Sequence, residues 1–182
     1  AKLGVNKIRI TGGEPLVRKN IEELIQKLSN ISGIEDIAMT TNGYLLESKL
    51  DSLIQSGLNR ITVSLDSIDS KTFKKMSGQN FEVEKVLSAI KLANDKGFEN
   101  LKINCVVQKN VNEHSILDLL DYFRDSGNIV RFIEYMDVGN INGWELKDVI
   151  SVKEILEIIE SKYKVKKLKE NYQGEVAKRY IL

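Results

Sequence analysis

A chain of 182 residues, 42% hydrophobic and 29% charged, is long enough for one domain with a substantial core, and that composition excludes a disordered or fibrous protein. Its 27 basic and 26 acidic residues leave a net charge of +1, which excludes global attraction to nucleic acid or an anionic membrane and leaves an anionic ligand to local clusters of cations. No apolar run reaches the roughly 18 residues that cross a bilayer, no signal or transit sequence opens the chain, and the single cysteine, Cys105, excludes an internal disulfide and cannot alone hold an iron-sulfur cluster. A cytoplasmic location is therefore expected.

The first element is a strand over 7 to 12, where Lys7-Ile8-Arg9-Ile10-Thr11 alternates polar and aliphatic residues before Gly12-Gly13-Glu14-Pro15. A glycine pair at a strand end lets backbone approach a ligand, although the same four residues can be an ordinary exit to a loop. A helix over 20 to 30 follows, with Ile21, Leu24, Ile25 and Leu28 on one face, Asn20 and Glu23 predicted as a capping box, and Gly33 beyond its end. Strands at 35 to 41, 60 to 66, 101 to 108 and 129 to 136 then alternate with helices at 46 to 56, 82 to 97 and 113 to 126. Gly57, Gly97 and Gly127 suit the left-handed caps of those helices. After a turn-rich loop at 139 to 143 and Trp144, a last helix from Ser151 to Lys162 carries Val152, Ile155, Leu156 and Ile159 on one face, and a Lys-rich strand or tail ends the chain. No repeat, low-complexity run or linker divides it, so residues 1 to 182 read as one domain.

Parallel strands joined by helices form either an open doubly wound sheet or a barrel, and side-chain parity helps to choose. Successive strand residues face opposite ways. Lys7, Arg9 and Thr11 share one face, as do Ala38 and Thr40, then Thr62, Ser64 and Asp66, then Lys102 and Asn104, while the alternate positions are aliphatic or Cys105. A sheet covered on both faces should be apolar on both, so the prediction is α/β, a partial (incomplete) TIM-like β/α barrel with a polar lumen. The last strand fits less well, because Arg131 and Met136 fall on opposite parities unless a bulge intervenes.

Converging polar faces would put Lys7, Arg9 and Lys102 in one cavity, with Thr11, Thr40, Thr62, Ser64 and Asn104 as hydrogen-bonding groups. Buried charges require partners. Two readings are open: the cations pair with Glu14 and Asp66, or they await an anionic ligand such as a nucleoside triphosphate. No phosphate-loop or dinucleotide glycine signature is present, so side chains would hold the phosphates, Arg9 as a planar fork and Lys102 as a mobile point charge. His114 reads as a solvated residue at a helix start and Cys105 as a small buried hydrophobe. Trp144 reads as a loop anchor or a stacking surface, and Tyr163, Tyr172 and Tyr180 with their lysines as solvated surface rather than a nucleic-acid site.

In this order, Arg9-Ile10-Thr11-Gly12-Gly13-Glu14-Pro15, Met39-Thr40-Thr41-Asn42-Gly43, Val63-Ser64-Leu65-Asp66, Leu101-Lys102-Ile103-Asn104, Arg131-Phe132-Ile133-Glu134-Tyr135-Met136, Asp137-Val138-Gly139-Asn140 with Trp144, and Gly174-Glu175-Val176-Ala177-Lys178 resemble the radical S-adenosylmethionine (SAM) enzymes, and within them the GTP 3′,8-cyclases of molybdenum cofactor biosynthesis. The resemblance implies that Gly12, Gly13, Glu14, Ser64 and Met136 contact S-adenosylmethionine, and that Arg9, Thr40 and Lys102 contact GTP, with Lys7 and Arg131 as further lining residues. It also implies cleavage of S-adenosylmethionine at a 4Fe-4S cluster and cyclisation of GTP to (8S)-3′,8-cyclo-7,8-dihydroguanosine 5′-triphosphate, with a reductant protein and a homodimer as partners of the parent protein. Family members hold two 4Fe-4S clusters by two sets of three cysteines, and neither set occurs in these residues. The expectation is an interior fragment of the radical SAM core, lacking its amino-terminal and carboxyl-terminal cluster regions and inactive alone, with no metal ligands and no assigned catalytic side chain. The alternatives are another radical SAM enzyme acting on a peptide or cofactor precursor, and a non-catalytic nucleotide-binding fragment or paralogue.

Overall fold

Five strands pair in parallel in the order in which they occur, in the computed structural model, which describes residues 1–136, 145–170 and 175–182. They are β1 (Lys7–Ile10), β2 (Asp36–Thr41), β3 (Arg60–Ser64), β4 (Lys102–Val107) and β5 (Ile129–Glu134). Between them lie α1 (Ile21–Ser29), α2 (Leu46–Gln55), α3 (Ser70–Ser77), α4 (Val83–Asp95) and α5 (Ser115–Phe123). Strand order never reverses, so right-handed crossovers bring every helix to one face of the sheet. A doubly wound sheet would need a reversal. The arrangement is α/β, an arc of a β/α barrel with one covered and one polar face.

One core fills the covered face. Ile37, Met39, Ile61, Val63, Ile103, Cys105 and Val107 of the strands meet Ile21 and Ile25 of α1, Leu46, Leu50 and Leu53 of α2, Val86, Ala89 and Ile90 of α4, and Ile116, Leu119 and Phe123 of α5. Each such aliphatic side chain removed from water contributes about 1.5–3 kcal/mol, before the entropy of ordering is set against it. Gly43 shows how tightly α4 closes over β2 and β3. Its φ is +78°, and a Cβ there would lie 3.0 Å from Val86 Cγ1 and 3.1 Å from Val63 Cγ1, so both conformation and space require glycine.

Three local expectations are corrected. Asn20 takes a left-handed conformation, φ 56°, and its side chain makes no cap, because that backbone turns the amide away from the first amides of α1. The segment between β3 and α4 contains a helix, α3, which sequence periodicity missed because only Thr72 and Phe73 of its eight residues are buried. Its start is set by Asp69, whose carboxylate accepts the Thr72 N–H at 2.8 Å. No bulge is needed in β5, which pairs without interruption from Ile129 to Glu134 and stops before Met136.

Beyond β5, α6 (Val152–Glu160) packs on α5. A capping box starts it: Ser151 Oγ accepts from Glu154 N, and Glu154 Oε2 accepts from Ser151 N at 2.9 Å. Glu134 Oε1, at the end of β5, accepts the Val152 N–H at 2.7 Å and fixes the helix to the sheet. The Lys-rich end forms a two-residue antiparallel pair, β6 (Lys166–Lys167) with β7 (Tyr180–Ile181). Tyr163, read as solvated surface, is buried instead and donates its hydroxyl hydrogen bond to Asp121. The expectations for residues 137–144, including Asp137, Gly139, Asn140 and Trp144, and for Tyr172 and Gly174 lie outside the described residues. Among the described residues no helix is long and apolar enough to cross a membrane.

Candidate functional site

Register turns the polar face into a ladder of rows. Arg9, Ala38 and Arg60 lie side by side across β1, β2 and β3. The next row toward the C-terminal ends of the strands is Thr40, Thr62 and Lys102, and the next is Ser64, Asn104 and Arg131. Arg9, Thr40, Ser64 and Lys102, singled out in sequence from parity, therefore share one face. Gly12 and Gly13 follow β1, and Met136 follows β5, so both border this face at its C-terminal end. There the backbone has room. A Cβ on Gly12 or Gly13 would meet nothing within 4 Å, and Gly12 has φ +147°, a conformation left to glycine.

Glu14 is committed to its own loop and to the end of β2 rather than to the cations. Its Oε1 accepts from Leu16 N at 3.0 Å and from the buried Thr41 Oγ1 at 2.6 Å, and its Oε2 accepts from Asn42 N at 2.7 Å. One acceptor position of Oε2 is left over. Asp66 is likewise occupied, accepting the Val106 N–H at 2.8 Å across the ends of β3 and β4. Burial raises its carboxyl above the ordinary range, with the Val106 bond opposing. Pairing of Arg9 and Lys102 with Glu14 or Asp66 is thus not what the fold does. Among the described residues neither Arg9, Lys102 nor Arg131 forms an ion pair with a carboxylate.

The electrostatics record the crowding of like charge. Burial, followed by Arg131, Arg60 and Arg9, lowers the Lys102 ammonium below the usual lysine range, and Asp36 alone among the named influences opposes it. Asn104 adds an uncompensated acceptor, since its Oδ1 is buried with no hydrogen-bond partner among the described residues. This face carries five cations, Lys7, Arg9, Arg60, Lys102 and Arg131, together with an orphaned amide oxygen and three hydroxyl-bearing residues, Thr40, Thr62 and Ser64.

Cys105 is buried in the core, where burial first and the Asp66 charge second push its thiol far above the usual range, so it stays protonated. Among the described residues no three His, Cys, Asp or Glu side chains are grouped to hold a metal ion. His114 stands exposed at the start of α5 with Nε2 3.3 Å from Thr72 Oγ1, away from the ladder. Sequence reasoning missed Arg60, because parity at the first residue of a strand is easily assigned to the preceding turn. It also missed Thr41, whose small polar side chain on the aliphatic parity is explained by Glu14.

The profile of the radical SAM superfamily matches residues 1–123. A GTP 3′,8-cyclase of Xanthomonas campestris is 49% identical over 178 residues, covering 98% of this chain and 52% of that protein. A GTP 3′,8-cyclase of Staphylococcus haemolyticus is 47% identical over 180 residues, covering 99% and 53%. The chain thus spans about half the length of these curated relatives. Among solved structures, a radical SAM methyltransferase of Sphaerobacter thermophilus superposes with a TM-score of 0.68 at 15% identity, over 86% of this chain and 47% of that one. A domain of a pyruvate-formate lyase-activating enzyme of Bacteroides vulgatus superposes with a TM-score of 0.66 at 16% identity, over 84% and 90%. At such identities the likeness concerns the fold alone.

Proposed function

The chain belongs to the radical SAM superfamily, and from that premise we propose that it is the S-adenosylmethionine- and GTP-binding part of a GTP 3′,8-cyclase, acting in molybdenum cofactor biosynthesis. The relatives named above support the activity, and the observation that carries the nucleotide is that Arg9, Lys102 and Arg131, on one face in three successive rows, have no carboxylate partner among the described residues. Arg9 and Lys102 hold the phosphates, with Thr40 donating between them. Lys7 and Arg131 extend the lining. S-adenosylmethionine lies at the C-terminal end, against the backbone of Gly12 and Gly13, with its ammonium on the remaining acceptor position of Glu14 and with Ser64 and Met136 beside it.

S-adenosylmethionine, when bound, supplies the radical chemistry of the superfamily. The chain's own part is to bind both molecules, fix their relative orientation and keep water from the space between them. The donor set does not fit a 4Fe-4S cluster, since its single thiol is buried and protonated, so no step is assigned through one. That same observation favours binding without turnover by these 182 residues alone. The proposed reaction further calls on 4Fe-4S clusters, a reductant protein and a homodimer.

The reading is tested by calorimetry on this chain. Replacing Arg9 or Lys102 by alanine is expected to weaken GTP roughly 30-fold or more, the loss typical of one charge-assisted contact in a partly desolvated site. S-adenosylmethionine should bind almost unchanged. Variants that melt earlier yet keep their GTP affinity would reject the phosphate assignment.

A further inference from the structure

One cation of the polar face has no part in that reading. Arg60 flanks Ala38 on the side opposite Arg9, so two guanidinium groups border a methyl group across two strand spacings, about 10 Å. A phosphate chain descending from the Ser64 row meets Lys102 one row down and reaches the Arg9 and Arg60 row last. The small side chain of Ala38 leaves that row open between the two arginines.

Arg60 is also aimed. Its Nε donates to Asp36 Oδ1 at 2.7 Å and its Nη2 to Asp36 Oδ2 at 2.5 Å. The Arg60 side chain is 44% exposed, and an ion pair so accessible to water contributes little to stability. Its effect is to fix the guanidinium: the fork uses one N–H each of Nε and Nη2, and three N–H groups, two on Nη1 and one on Nη2, remain for another acceptor. Arg60 also lies close enough to weaken the Lys102 proton, as do Arg131 and Arg9. Four like charges held near one carboxylate repel one another, and a polyphosphate relieves the repulsion of all four.

We infer that Arg60, aimed by Asp36, contacts the distal phosphate of the bound nucleotide and gives the site its preference for a triphosphate over a monophosphate. This rests on the nucleotide reading above and adds a residue that sets how many phosphates are recognised.

The experiment titrates GTP, ATP, GMP and inorganic tripolyphosphate into this chain and into its Arg60→Gln and Arg60→Lys variants, with melting temperatures alongside. Arg60→Gln is expected to weaken GTP and tripolyphosphate roughly tenfold or more while GMP changes less than about twofold. Arg60→Lys, which keeps the charge and loses the fork, should fall between the two. A GTP-to-GMP preference that survives Arg60→Gln overturns the inference and leaves the GTP reading standing. Equal loss of GTP and GMP with a lowered melting temperature overturns it in favour of a structural role. Arg60→Lys indistinguishable from the unsubstituted chain overturns the aiming by Asp36. Arg60-dependent binding of tripolyphosphate without preference for GTP over ATP supports Arg60 and rejects the guanine nucleotide. An unsubstituted chain that does not favour triphosphates, or binds none of the four, overturns both.

Discussion

Asn112 is fully buried, and apart from a long contact from its Nδ2 to Cys105 Sγ at 3.8 Å its hydrogen bonds go to backbone. Its Nδ2 donates to Asp66 O and Val106 O, each at 2.9 Å, and its Oδ1 accepts from Gln108 N at 2.8 Å. The three partners are the exits of β3 and β4, so this one amide joins the two strand ends beside Ser64. Asn112→Ala would leave two carbonyls and one N–H without partners in the interior, at about 1–3 kcal/mol each and with some relief from entering water. The expected loss is about 2–4 kcal/mol in a denaturant titration. Asn112→Asp should cost at least as much at neutral pH, because a carboxylate has no hydrogen for the two carbonyls; stability equal to that of the unsubstituted chain would contradict this account. None of it was legible in sequence, where Asn112 is one more polar residue in a loop. Arg9, Thr40, Ser64 and Lys102 were legible, because strand parity assigns a face without knowledge of any partner.

At the scale of elements, helices with broad apolar stripes were readable and the one without was not. α1, α2, α4 and α5 each bury residues three or four apart, a period that sequence displays directly. α3 buries two adjacent residues and depends on the Asp69 cap for its definition. α6 has both a stripe and a full capping box, which makes a clean test. Ser151→Ala removes the acceptor for Glu154 N and should lower stability by about 1 kcal/mol. The pH dependence has a definite sign. The Lys109 hydrogen bond first, and then those from Ser151, hold the Glu154 carboxyl down to about 2, below its usual 4.5. A carboxyl lowered on folding stabilises above its unfolded value and loses that contribution as pH falls, here between about 4.5 and 2. Lys109→Gln should therefore flatten the stability profile across that interval. A profile with unchanged slope would show that the carboxylate does not sense its partners.

For the whole molecule, the deciding fact is that strand order follows chain order. With no reversal, the helices gather on one face, and the cations of β1, β3, β4 and β5 gather on the other. That face is the proposed ligand site, yet the chain carries one thiol, and it lies in the core. Anaerobic treatment with iron and sulfide is therefore expected to give no stoichiometric cluster absorbance and no cleavage of S-adenosylmethionine, since three or four thiolates are the usual requirement. A full complement of cluster on this chain would refute that reading of its ligands. The amino-acid sequence by itself determined the alternation of strands and helices, the polar and aliphatic faces of each strand, the family, and the lack of cluster cysteines, because all of these are local patterns or counts. Only the tertiary structure decided that Glu14 and Asp66 turn to backbone and Thr41 instead of neutralising Arg9 and Lys102, and that Arg60 joins them under the aim of Asp36. Such pairings join residues more than twenty positions apart, and which carboxylate meets which donor depends on the register and twist of the sheet that brings them together.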